Sequence, residues 1–283
     1  MQLLDGKALS TKIKNELKNE SELLIQQGVT PCLAVVLVGA DPASQTYVNS
    51  KEKASHDANI SSIVKRLPES TTQAELLVLI QTLNEDRSVD GILVQLPLPK
   101  HIDSTKVIEA ISPYKDVDGF HPFNVGRLMA GLDGFVPCTP YGVMKLLEEY
   151  RIDVKGMDAC VIGASNIVGK PMMNLLLNAS ATVEICRSST RNLKAHTLRA
   201  DLLVVGVGKP NLLQADMVKE GAIVIDVGIN RTAEGKIVGD VDFAAVAPKC
   251  SFITPVPGGV GPMTIAMLLS NTIKSAKQRL ASL

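Results

Sequence analysis

The sequence predicts an α/β fold, and three features carry that reading. Short apolar runs alternate with longer amphipathic stretches. The runs are continuous rather than alternating in polarity, the pattern of parallel strands covered on both faces. Several of them end in glycine, at the strand ends where open α/β sheets receive ligands. Strands are expected at 33–38 (LAVVLV), 91–96 (GILVQL), 159–162 (ACVI), 183–186 (VEIC), 202–205 (LLVV) and 222–227 (AIVIDV). Helices are expected over 42–56, 73–86, 140–150, 167–178 and 262–280. Pro137 and Pro140 interrupt the pattern, after which a fresh βαβ series starts. ITPVPGGVGP at 253–262 is a second break, and the helix beyond it could pack on either half.

Composition narrows the function classes. With 283 residues the chain has room for two ordinary domains, and 46% hydrophobic content excludes long disorder. Basic and acidic residues balance at 29 each, so nothing global draws the chain to nucleic acid or anionic membranes. Aromatic residues at 3%, with no Trp, argue against stacking platforms for single strands. The opening MQLLDGK turns polar at once, which speaks against a signal peptide, and no run reaches the ~20 apolar residues of a membrane helix. Cys32, Cys138, Cys160, Cys186 and Cys250 are widely spaced without a C-x-x-C pair and read as reduced, buried thiols of a cytoplasmic protein. His56, His101, His121 and His196 lack metal-ligand spacing.

The main ligand signal lies in the second half. ACVIGASNIVGKP at 159–171 takes a buried strand into Gly163 and opens a helix soon after. Gly163 allows a tight turn, Ser165 stands where a dinucleotide fingerprint has its second glycine, and Gly169 permits close packing of helix on strand. The helix start offers N–H groups to a phosphate. The match reads G-x-S-x-x-x-G, and glycines needed only for packing would give the same pattern. The next strand ends in Arg187-Ser188-Ser189-Thr190-Arg191, a basic and hydroxyl cluster that suits the 2′-phosphate of NADP and equally describes a solvated loop. Glu184 lies within that strand, not at its end. Two further strands run into Gly206-Val207-Gly208 and Gly228-Ile229-Asn230, where glycine lets backbone approach a ligand. Asp226 is expected only to cap or orient its turn.

Reactive candidates lie in the first half. Asp41-Pro42 is a helix start, and Tyr47 and Lys51, four apart, share one helix face. Lys51 is then either a plain exposed helix lysine or an amine in a cleft, able to serve as a base. Gln95 interrupts an apolar run; a buried amide must be hydrogen-bonded and adds nothing to core packing, so a cleft-lining and a structural role both fit. KDVDGFH at 115–121 sets Asp116 and Asp118 beside a glycine turn. An Asx-turn explains one acid, and no metal is expected.

Taken in order, GADPASQTYVNSKEKA (39–54), GILVQLPLP (91–99), KDVDGFHPFNVGRL (115–128), PCTPYG (137–142), VIGASNIVGKPM (161–172), VVGVGKP (204–210), GAIVIDVGIN (221–230) and GDVDF with ITPVPGGVGPMT (239–264) form one ordered set. On it the chain resembles the bifunctional methylenetetrahydrofolate dehydrogenase/methenyltetrahydrofolate cyclohydrolase family over nearly its whole length. The resemblance implies a catalytic domain, 1–138, completed by 263–283, and a Rossmann-like NADP-binding domain, 139–262, with folate in a cleft between them. It implies oxidation of 5,10-methylene-tetrahydrofolate with NADP, then hydrolysis to 10-formyl-tetrahydrofolate, in a homodimer that binds neither nucleic acid nor membrane.

The resemblance also implies roles. Lys51 matches the catalytic lysine of the hydrolytic step, Gln95 the amide that tunes it, Tyr47 the ring beside the folate, and Asp118 the carboxylate that holds the pterin. Ser44, Leu96, Pro97, Pro257, Gly258 and Gly259 are expected on the substrate. Gly163, Ala164, Ser165, Ile167, Arg187, Ser188, Gly206, Val207, Gly208, Gly228, Ile229 and Thr264 are expected on the cofactor. Many members carry Arg after the first fingerprint glycine; Ala164 stands there in this chain, so Arg187 is expected to supply the charge. The methenyl intermediate is a cation, which an ammonium would oppose, so Lys51 is expected to act as a neutral amine that accepts a proton from water. The rival readings are a monofunctional dehydrogenase and a non-enzymatic folate or nucleotide binder. The joint presence of Lys51, Gln95 and Asp118 argues against the first; the second would keep the binding loops but need not keep Lys51. No G-x-x-x-x-G-K-[ST] loop supports ATP.

Overall fold

The computed structural model describes residues 1–282. It divides into two units, one of Met1–Thr11 with Pro137–Thr264, the other of Lys12–Val136 with the chain from Ile265 onward. The chain opens with a two-residue strand, β1 (Gln2–Leu3), and a long helix, α1 (Gly6–Gln26).

β2 (Cys32–Val38), α2 (Pro42–Asp57), β3 (Ser61–Leu67), α3 (Gln73–Glu85) and β4 (Gly91–Val94) follow. The strands form a three-stranded parallel sheet in the order β3-β2-β4, with Ala34 opposite both Ile63 and Ile92. β2 and β4 are buried along their length, which is why both are continuous apolar runs. β3 is an edge strand, only partly buried, and carries no such run; its sequence therefore gave no strand signal. Each helix has a built start. The Asp41 carboxylate accepts the Ser44 N–H at 2.8 Å ahead of Pro42, and Thr72 and Glu75 close a capping box at 3.3 and 2.8 Å. Val36, Ile80, Ile92 and Val107 are core residues of this unit. Two short helices, α4 (Ser104–Ala110) and α5 (Pro122–Met129), complete this stretch.

β4 stops at Val94 rather than at 96, so Gln95 follows the strand instead of sitting within it. Its N–H still reaches the Val36 carbonyl at 2.8 Å, which fixes the residue at the strand's exit.

The other unit holds α6 (Cys138–Glu149), β5 (Asp158–Ile162), α7 (Gly169–Asn178), β6 (Thr182–Cys186), α8 (Leu193–Thr197), β7 (Leu202–Val205) and β8 (Ile223–Asp226). A ribbon of β9 (Asn230–Arg231) and β10 (Ile237–Val238), helix α9 (Phe243–Val246) and β11 (Phe252–Ile253) come next. Its sheet is six-stranded and parallel, in the order β1-β11-β8-β7-β5-β6. The chain runs from β5 out to β6, then back across β5 to β7, so strand order reverses at β5. Ligand crevices form at the carboxyl ends beside such a reversal.

α10 (Val260–Ala281) ends the chain, starting two residues before the expected 262, with Pro262 tolerated in its first turn. Its later turns are held by hydrogen bonds from Asn271 to Val117 O (2.8 Å) and from Ser275 to Asp90 O (2.7 Å). The expected division at 138/139 assigned residues 1–11 to the catalytic part; the structure groups Met1–Thr11 with the six-stranded sheet. The reason is β1, whose Gln2 N–H bonds Ser251 O at 2.7 Å beside β11, a two-residue pairing that leaves no periodic trace.

Candidate active site

In the smaller-sheet unit Lys51 and Gln95 meet at the exit of β4. Asp41 caps α2 and thereby fixes the helix phase. Ser44, Tyr47 and Lys51 then recur at helical spacing on one face. Ser44 is buried, Tyr47 is 43% exposed, and Lys51 is half-buried. Lys51 Nζ donates to Gln95 Oε1 at 2.9 Å, and Gln95 Nε2 donates to the Leu96 carbonyl at 2.6 Å. The two readings of Lys51 are thus separated: it is not a free surface lysine, and Gln95 spends both ends of its amide on holding it and the Leu96–Pro97 turn.

The acidic pair divides its work. Asp116 is buried and accepts from Phe120 N (3.2 Å), His121 N (2.8 Å) and Asn124 Nδ2 (2.9 Å). Burial pushes its carboxyl up to about 7 against those donors, and the nearby Asp118 charge adds to the rise. Asp116 is the turn-forming acid. It pairs with Ile92 of β4 as an isolated parallel bridge, and the half-buried Asp118 lies in the turn that follows. Among the described residues no three His, Cys, Asp or Glu side chains converge as metal ligands would.

In the larger-sheet unit the cofactor candidates after β5, β6, β7 and β8 come to one edge, because these four strands are parallel neighbours. The first turn is very tight. Gly163 has φ +118°, a Cβ there would sit 2.4 Å from Gly206 O, and a Cβ at Gly169 would sit 1.9 Å from Gly163 O. α7 starts at Gly169 rather than at 167, since residues 164–168 form the turn. Ser165 Oγ accepts from Val168 N (3.2 Å) and Gly169 N (3.4 Å), so it braces the helix start. The amides of Ala164, Ser165, Asn166 and Ile167 donate no hydrogen bond among the described residues. This bare, donor-rich turn fits a dinucleotide phosphate.

After β6, Arg187 N donates to Thr190 Oγ1 (2.9 Å) and Arg187 Nε to Ser189 Oγ (3.2 Å), leaving an exposed guanidinium beside the equally exposed Ser188. Thr264 of α10 shares a 2.9 Å hydrogen bond with Thr139 of α6. Pro257, Gly258 and Gly259 also belong to this unit, not to that of Lys51. A Cβ at Gly259 would lie 2.6 Å from Pro255 O, and Gly258 O accepts from Lys7 N at 2.9 Å.

Sequence reasoning missed one group. Asp240, fully buried, accepts Val207 N (2.6 Å) and Gly208 N (2.9 Å) on Oδ2 and Asn230 Nδ2 (2.8 Å) on Oδ1. Asp226, expected only to orient its turn, accepts Gly228 N (2.9 Å), Asp240 N (3.0 Å) and Val241 N (2.9 Å). Burial pushes its carboxyl up to about 6. The available signal was glycine before or near each acid: a Cβ at Gly239 would strike Asp226 Oδ2 at 1.9 Å, and one at Gly228 would strike Asp240 Cγ at 2.4 Å.

Comparison with known proteins gives these sites a context. A family model described as the tetrahydrofolate dehydrogenase/cyclohydrolase catalytic domain matches residues 4–118, and that of the same family's NAD(P)-binding domain matches 137–280. The Bifunctional protein FolD of Campylobacter fetus is 66% identical, with 99% of each chain covered. The crystal structure of the bifunctional FolD methylenetetrahydrofolate dehydrogenase/cyclohydrolase from Campylobacter jejuni superposes with a TM-score of 0.98 at 63% identity, covering 99% of both chains. That of the Trypanosoma brucei dehydrogenase-cyclohydrolase, complexed with NADP and an inhibitor, gives 0.93 at 37% identity over 97% of this chain and 96% of that one.

Proposed function

This chain belongs to the tetrahydrofolate dehydrogenase/cyclohydrolase family, and from that premise we propose that it oxidises 5,10-methylene-tetrahydrofolate with NADP and hydrolyses the 5,10-methenyl product to 10-formyl-tetrahydrofolate. The observation that carries this reading is the Lys51–Gln95 hydrogen bond at the exit of β4. A plain binding module has no need of an amine held in one orientation by a half-buried amide.

NADP, when bound, accepts the hydride. The residues to hold it are those of the glycine-lined edge. The amides from Ala164 to Ile167 supply phosphate donors, and Arg187 with Ser188 takes the 2′-phosphate. Gly206, Val207, Gly208, Gly228 and Ile229 offer bare backbone and aliphatic side chains to a flat ring, and Thr264 a hydroxyl. On the folate side, the exposed Tyr47 ring is a stacking surface and Asp118 an acceptor for pterin N–H groups. Ser44, Leu96 and Pro97 border them. Gln95 Oε1 holds one Nζ–H of Lys51 and so aims the amine. Lys51 takes one proton from the water that attacks the methenyl carbon; the remaining hydroxyl proton passes to N5 as the carbon–N5 bond opens and the formyl group forms on N10.

We also infer a homodimer in the cytoplasm; five free, buried thiols support the reducing compartment, and no helix among the described residues is long and apolar enough to cross a membrane. Methenyl formation and decay, followed by absorbance with NADP or NAD, test the reading. NADP should be preferred, and methenyl should proceed to 10-formyl-tetrahydrofolate. Arg187→Ala should weaken NADP by roughly tenfold to a hundredfold and NAD far less. Absence of NADP-linked oxidation would overturn the function, and equal losses for both cofactors would remove Arg187 from the 2′-phosphate.

A further inference from the structure

We propose that Asp240 is a positioning residue for the nicotinamide cofactor, tying the loop after β7 to the loop after β8 without touching the ligand itself. This rests on the assignment of both loops to NADP.

A carboxylate with no solvent exposure is costly to bury unless its acceptors are filled. Asp240 fills them with loop groups. Oδ2 takes the amides of Val207 and Gly208 at 2.6 and 2.9 Å, and Oδ1 takes the side chain of Asn230 at 2.8 Å. Val207 and Gly208 stand 33 and 32 residues away in sequence, so those two bonds join separate segments, while Asn230, 10 residues away, lies across the β9–β10 ribbon, whose base the third bond closes. Asp226 adds a second tier: it binds Gly228 N and also Asp240 N, fixing the backbone of the residue that does the joining. Glycine stands at 228 and at 239, where a side chain would collide with one or other carboxylate.

What is held in place points to a ligand. Val207 and Ile229, one on each tied loop, are 40% and 48% exposed, and Ile167 on the β5 loop is 43% exposed. Three aliphatic side chains turned outward on adjacent strand ends do nothing for the core. They suit the faces of a planar ring, and their spacing depends on the loops that carry them. Asp240 sets that spacing for two of the three.

The test uses the full-length protein and reads NADP binding by calorimetry, the KM for NADP and kcat in the dehydrogenase assay, and hydrolysis of added methenyl-tetrahydrofolate, which needs no NADP. Asp240→Asn keeps one acceptor oxygen for the two amides but sets an NH2 against the Asn230 NH2. NADP affinity should fall roughly tenfold to a hundredfold, KM should rise in parallel, and kcat and methenyl hydrolysis should stay within about twofold. The double variant Asp240→Asn with Asn230→Asp restores a donor–acceptor pair and should regain NADP affinity to within about threefold of wild type. Asn230→Ala, a milder change suited to the case where Asp240→Asn does not fold, should cost NADP affinity roughly threefold to tenfold. If wild type binds NADP and the Asp240→Asn and Asn230→Ala proteins bind it equally well, the positioning role is wrong while the cofactor assignment stands. Loss of methenyl hydrolysis in step with NADP binding, or no recovery in the double variant, would make Asp240 a folding residue only. A wild type that does not bind NADP would overturn both.

Discussion

Asp116 and Lys51 illustrate how differently single residues disclose their work. Lys51 could be picked out because helix periodicity puts it one turn from Tyr47, and Gln95 because an amide is out of place in an apolar run; the 2.9 Å bond between them joins the two clues. Asp240 was harder to find, since its partners at 207 and 208 lie in another loop and the neighbouring glycine Gly239 marks only a close approach. Asp116 stands between these cases, an Asx-type acid by sequence whose burial only the fold supplies. That burial has a pH signature. Its carboxyl is raised from the ordinary range to about 7, so the folded protein holds the proton more tightly than the unfolded chain. The resulting stability is fully present below about pH 4 and is lost as pH rises through 7. The stability of wild type relative to Asp116→Asn should therefore fall between pH 4 and 7, by up to ~1.4 kcal/mol per pH unit, in denaturant titrations at several pH values. A difference flat with pH would show that the three N–H donors keep Asp116 ionised throughout. The readout is the slope, because Asn offers those donors one acceptor oxygen and carries its own constant cost.

At the scale of elements, the strands most readily read were the fully buried ones, β2, β4, β7 and β8, whose apolar runs record cover on both faces. β3 and β1 escaped notice because edge position and brevity remove that record. The last helix left its docking open in the sequence, and its contacts explain why. Near its end stands a partly buried ion pair, Arg279 Nε to Asp90 Oδ1 at 2.7 Å, with Asp90 at 1% side-chain exposure and Cys32 N donating to its other oxygen at 2.8 Å. Arg279→Ala strands a buried carboxylate and should cost about 3–5 kcal/mol of unfolding free energy. On the same helix the exposed Lys277–Glu20 pair, also 2.7 Å long, should yield no more than ~1 kcal/mol when Lys277 is replaced by Ala. Similar losses for both in chemical denaturation would contradict this ranking by burial.

For the whole molecule, two parallel sheets each set their candidate residues at the exits of their strands. Gln95 follows β4, and the loops expected on NADP follow β5, β6, β7 and β8. The alternation of apolar runs and helices made that architecture legible. The grouping of Met1–Thr11 with the larger sheet was not, because it depends on a strand pairing between the two ends of the sequence. The proposed hydrolytic half of the function rests on the oriented amine of Lys51. The direct measurement is the rate at which Lys51→Met hydrolyses methenyl-tetrahydrofolate, corrected for the spontaneous reaction, with NADP affinity measured on the same sample. Hydrolysis should fall at least about a hundredfold with NADP binding unchanged; hydrolysis at the wild-type rate would remove Lys51 from the reaction.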